Sequence, residues 1–148
     1  MTAVRTSIAL AVVMATSLFV PFALARVNDG YRGETEAGGL IAVRVDYDHK
    51  GNPTKVHSLR WANVPAACTG YAPTATTGDV KLSMKVDDGG AFKGSAKPEF
   101  GDGKVTISGR FKHNPAKAAG KFRVKGSLPA TTCSEGDTGQ LSWEMARK

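Results

Sequence analysis

Histidines, cysteines and grouped catalytic residues are scarce in this chain, and each scarcity removes a class of chemistry. The three histidines, His49, His57 and His113, fall in separate segments with no His-x-x-x-His or similar pair, so a zinc centre would need ligands that converge only on folding. No serine sits in Gly-x-Ser-x-Gly, and no nucleophile, base and orienting acid can be nominated together. Asp87 and Asp88 run straight into Gly89-Gly90, which is turn chemistry rather than an acid and base facing a cleft. Asp46, Asp48 and Gly51 fit the first, third and sixth places of a calcium loop. Lys50 and His57, however, take the fifth and twelfth, where oxygen ligands are required. The chain is therefore expected to be no enzyme and to carry no metal or cofactor. A small secreted hydrolase stays as a second alternative, requiring His57 or His113 to meet a carboxylate in a pocket once folded.

Long apolar runs are also lacking, with one exception. Thr6 to Phe22 is almost wholly apolar or small, follows Arg5, and ends at Ala23-Leu24-Ala25, a small-x-small cleavage site. This is the layout of a secretory signal peptide; the competing reading is a retained membrane anchor. No arginine pair precedes the run and no cysteine lies near residue 25, so the general secretory route is expected, without a lipid-modified terminus. The chain divides into a signal peptide, 1–25, and a secreted β-domain, 26–148, located outside the cell or in the periplasm or envelope. Residues 1–25 carry one cation and no acid, so their removal takes the net charge from +7 to +6. Such a charge favours anionic surfaces.

Two cysteines are present, Cys68 and Cys133, neither with a second cysteine or a histidine at ligand spacing. In an oxidising compartment the expectation is one disulfide between them.

What the remainder does have is alternation. Leu40 to Tyr47, Val56 to Ala62, Val80 to Val86, Phe92 to Ala96, Lys104 to Lys112, Gly120 to Leu128 and Leu141 to Met145 read as strands, with a short edge strand over Tyr31 to Thr35. Leu59 and Trp61 have the opposite parity to Val56, which predicts a bulge near His57 and Ser58. Asp48 to Pro53, Asp87 to Gly90, Asp102-Gly103 and Asn114 to Lys117 supply turns. Asn63 to Asp79 and Pro129 to Gly139 read as irregular loops. The fold class is all-β: a single antiparallel β-sandwich or β-barrel of seven to eight short strands, largely a meander, after an N-terminal signal helix.

The hairpin Lys104 to Leu128 is the most regular stretch. Val105, Ile107, Gly109 and Phe111, with Gly120, Phe122, Val124, Gly126 and Leu128 on the return strand, face the core. Lys104, Arg110, Lys112, Lys121, Arg123 and Lys125 project to the other side, and no acid interrupts the stretch. This six-cation face reads either as a polyanion-docking surface or as a solvated face whose lysines deter edge-to-edge pairing. Trp61 and Trp143 have apolar neighbours two residues away on their own face, so core packing is expected over a stacking platform. A second candidate surface lies in the two loops joined by the disulfide, through Tyr71, Glu135 and Asp137.

The C-terminal portion, with SGRF at 108–111, Ala118 to Val124, Cys133, Thr138-Gly139 and Trp143 to Arg147, resembles small exported bacterial all-β proteins of uncharacterised function. The resemblance is one of layout over about residues 30 to 148 and brings no catalytic residues. Secreted barrels of the avidin and protease-inhibitor kind share the length and strand count but not, in this chain, their motifs. The expected function is non-enzymatic binding at the envelope or outside the cell; the alternative is a small-ligand carrier or inhibitor-like barrel acting through its loops. The partner classes are an anionic envelope polymer, a glycan or an extracellular protein, with nothing pointing to specific nucleic-acid binding, and the domain is expected to be monomeric.

Overall fold

In the computed structural model, which describes residues 30–99, 102–112 and 116–148, nine antiparallel strands form the chain, with no helix among the described residues. The expected signal peptide and its helix, the turn position of His113 and residues 114 and 115 of the Asn114 to Lys117 connection lie outside the described residues. The strands are β1 (Gly30–Thr35), β2 (Leu40–Tyr47), β3 (Pro53–Cys68), β4 (Thr74–Lys85), β5 (Ala91–Ala96), β6 (Lys104–Phe111), β7 (Lys117–Gly126), β8 (Gly136–Asp137) and β9 (Leu141–Arg147).

Six of them close a barrel. β1 pairs with β2 and β9, β2 with β3, β9 with β7, and the two-residue β8 bridges β3 and β7. β4 extends the sheet from β3, while β6 and then β5 extend it from β7. β4 and β5 meet through the Asp87 to Gly90 turn, where the Asp87 amide donates to the Ala91 carbonyl at 2.9 Å and Gly90 takes φ 79°, a conformation open to glycine. Of sandwich and barrel, the chain forms the barrel.

The interior is filled with side chains. Tyr31, Phe111, Phe92 and Trp143 form a continuous row of rings with successive centroids 4.9, 5.2 and 6.1 Å apart, and Trp61 meets Phe122 at 5.7 Å. Both tryptophans are core residues, each 2% exposed. Space for them comes from glycines on the inward face. A Cβ at Gly109 would lie 2.5 Å from Trp143 Cζ2, and one at Gly120 or Gly78 would lie 2.6 Å from Cζ2 of Trp143 or Trp61. Such distances are about 1 Å inside ordinary carbon contact.

Four expectations need correction. In place of seven to eight short strands the described residues form nine, two of them long, β3 with 16 residues and β4 with 12. The stretch Asn63 to Asp79 is not an irregular loop: β3 runs to Cys68 and β4 starts at Thr74. A register shift between Trp61 and Val64, with Asn63 at φ 53°, switches the buried parity from Leu59 and Trp61 to Val64 and Ala66. That bulge hides the continuing strand from a period-two reading. Tyr31 to Thr35 is no edge strand, because β9 returns to pair along its other side. Within Pro129 to Gly139 lies the β8 rung. The bulge expected near His57 is present, as Arg44 pairs with Ser58 and Val45 with Val56, skipping His57.

Candidate functional site

The outer face of β5, β6 and β7 is built by simple alternation. With Val105, Ile107, Phe122, Val124 and Phe92 buried, the intervening side chains must point outward. The register sets them in rows across the strands. Lys93 pairs with Ser108, Ser108 with Lys121, and Lys121 with Ser142. The next row runs Ser95, Thr106, Arg123, and the next joins Lys104 to Lys125, which in turn pairs with Asp137. These three strands carry seven cations, Lys93, Lys104, Arg110, Lys117, Lys121, Arg123 and Lys125, and no acid.

The six cations expected on the hairpin are not equivalent. Arg123 forms a two-pronged ion pair with Asp137, its Nε donating to Oδ1 at 2.9 Å and its Nη2 to Oδ2. Arg123's hydrogen bonds hold the Asp137 carboxyl below the usual carboxylate range. Arg110 Nη1 donates to the Gly89 carbonyl at 3.0 Å, which ties it to the β4–β5 turn. Lys121 Nζ donates to Ser142 Oγ at 2.6 Å. Lys112 lies just past the end of β6. Lys104 and Lys125 are exposed, directly opposed across the strands, and neither takes part in an ion pair among the described residues.

Sequence reasoning missed Lys93. It shares parity with the outward residues of the short strand Phe92 to Ala96, and the register of β5 on β6 brings it beside Ser108. With it, the face gains a concave form. One depression of about 380 Å³ is lined by Lys93, Ser95, Lys104, Thr106, Ser108 and Lys121. A second, of about 370 Å³, shares Lys104 and Thr106 and continues to Arg123, Lys125 and Asp102.

The alternative loop site is reorganised by folding. Cys68 and Cys133 are bonded, with Cα atoms 5.9 Å apart. The disulfide brings Glu135 beside Thr69, whose amide donates to the Glu135 carbonyl at 2.9 Å. Asp137 is occupied by Arg123 of the basic face, so two residues assigned to separate surfaces form one pair. Tyr71 stands apart at the β3–β4 turn, 78% exposed.

The remaining features are smaller in chemical scope. A groove of about 460 Å³ on the outer wall of β1 to β4 is lined by Leu40, Ala42, Ala62, Arg32, Arg60 and Asp79. A further depression, of about 800 Å³, lies between the Asp48 and Asp87 turns. Asp48 is spent on its own turn, its carboxylate accepting from the amides of Lys50 and Asn52 at 2.8 and 2.9 Å. His57 Nε2 lies 3.7 Å from Asp46 Oδ1 on the surface. Among the described residues no group of His, Cys, Asp and Glu is arranged to hold a metal ion.

Comparison with protein-family models, curated proteins and solved structures finds no match. The functional reading therefore rests on the geometry of this chain.

Proposed function

We propose that this protein is an exported, disulfide-stapled, non-enzymatic β-barrel that docks onto an anionic polymer through the outer face of β5, β6 and β7. One observation carries the reading: Lys104, Lys121 and Lys125 lie on β6 and β7, strands paired on both sides. Lysines that deter aggregation belong on edges, and of the strands on this face only β5, with Lys93, lies at an end of the strand order. Like charges directly opposed across strands destabilise a sheet, so the Lys104 and Lys125 pair, offset only in part by Asp137 on the far side of Lys125, is a cost that an anionic ligand would relieve. A second opposed pair, Lys55 and Lys85 on β3 and β4, lines neither of the two linked depressions and serves as the internal control.

The test is retention on an immobilised sulfated polysaccharide over a salt gradient. The protein should bind at low salt and elute as salt screens the contacts. K104E/K125E should elute at markedly lower salt, while K55E/K85E, with the same change in net charge, should elute near the unaltered protein. Equal loss in both variants, or no loss in K104E/K125E, would refute the proposal. The interior packing disfavours the carrier reading, because the barrel core is occupied by its own aromatic rings.

The exposed Tyr71 beside Cys68 favours one second reading, recognition of a protein or glycan through the disulfide-linked turn. Y71A should leave polymer retention unchanged; loss of binding in Y71A alone would move the site to that turn.

A further inference from the structure

We infer that the polymer is an anionic polysaccharide lying across β5, β6 and β7 in the two linked depressions, read by hydroxyl groups as well as by charge. This rests on the docking face proposed above and names its ligand class. Lysines alone would accept any polyanion. Here, however, Ser95, Thr106 and Ser108 stand between Lys93, Lys104 and Lys121 in one depression. No intramolecular hydrogen bond engages these three hydroxyls among the described residues. A hydroxyl both donates and accepts, which matches the hydroxyl groups of a sugar ring.

Rival polymers and surfaces fit less well. Single-stranded nucleic acid is held by bases stacked on aromatic rings; among the described residues the aromatics nearest this face, Phe92, Phe111, Phe122 and Trp143, are all buried, Phe122 being 1% exposed although it borders the depression. An anionic bilayer is approached by a flat or protruding surface with apolar residues to insert. This face is concave, and among the described residues the exposed large apolar ones, Leu40 and Tyr71, lie elsewhere. The ligand is linear because the two depressions share Lys104 and Thr106 as a common wall, so a chain lying in one is led into the other. Lys93 and Lys121 are separated by one intervening strand, roughly 10 Å at ordinary strand spacing, a disaccharide-length span.

The experiment is titration calorimetry of the intact exported protein and of S95A/T106A/S108A, which keeps every charge. The probes are a sulfated polysaccharide, a polyuronate, inorganic polyphosphate and single-stranded DNA, at equal concentration of anionic groups. Thermal unfolding of the triple variant confirms that it is folded. The expected result is a loss of tenfold or more in affinity for at least one of the two polysaccharides, with polyphosphate affinity changed less than twofold. The two polysaccharide arms separate sulfate from carboxylate recognition. Unchanged polysaccharide binding in the triple variant, an equal loss for all four probes, or tightest binding to DNA would overturn the inference while leaving polyanion docking intact. Failure of every probe to bind would instead remove the docking reading on which it rests.

Discussion

Removal of the Cys68–Cys133 bond should cost this protein more than any single surface change. The bond joins residues 65 apart, and closing a loop of that length restricts the unfolded chain by about 4 kcal/mol on the chain-entropy estimate. For a domain of this size 1 kcal/mol moves Tm by roughly 3–5 °C, so C68A/C133A should melt roughly 12–20 °C below the parent in calorimetry. The loss should also have a location. Cys68 pairs with Gly136 in β8, and β8 is the rung that ties β3 to β7 with only two residues on each side. Amide exchange at Ala67, Cys68, Lys125 and Gly126 should therefore quicken well before exchange in the β1–β2 pair. A Tm change under about 4 °C, or exchange at the rung that follows the global unfolding rate in both proteins, would show that the barrel closes without the staple.

Other consequences follow from the packing and the ion pair. G109A should lose about 1–3 kcal/mol, because the new methyl meets the Trp143 ring and the Phe92 ring at once; G109A/W143F should recover part of it, and strict additivity in chemical denaturation would contradict the close approach. The Asp137 carboxyl, held low by Arg123, gives the folded state stability that is present above the unfolded carboxylate value, about 3.9, and is lost as pH falls through the lower folded value. D137N should therefore show a flatter fall in Tm below pH 5 than the parent, and identical pH profiles would refute the linkage.

The parts of the fold legible in the sequence are those where inward positions are apolar. Val80, Leu82 and Met84, or Val105 and Ile107, announce their strands because water would be excluded from that face alone. The first half of β4 was not legible, because its inward positions are Thr76 and Gly78. Both serve Trp61: Gly78 makes room for the ring, and Thr76 Oγ1 accepts from Trp61 Nε1 at 3.3 Å while donating to the Pro129 carbonyl at 2.9 Å. A polar residue and a glycine read as loop until the tryptophan across the strand is known. The end of β3 was hidden by the bulge at Asn63. The barrel closure was hidden too, since β9 reaching β1 and β8 bridging β3 and β7 are long-range pairings with no local signature. The six cations of the hairpin were legible from alternation. Their division into Arg123 and Arg110, already engaged, and Lys104 and Lys125, opposed and without an ion pair among the described residues, depends on Asp137 and Gly89 from other segments. Lys93 joined the face only through the register of β5.

The most direct measurement is a map of backbone amide shifts as a sulfated oligosaccharide is added to the isotopically labelled protein. The docking account predicts saturable changes concentrated at Lys93 to Ser95, Lys104 to Ser108 and Lys121 to Lys125, fading as salt is raised. Changes centred on Tyr71, on the Leu40 groove, or spread evenly over every surface lysine would contradict it.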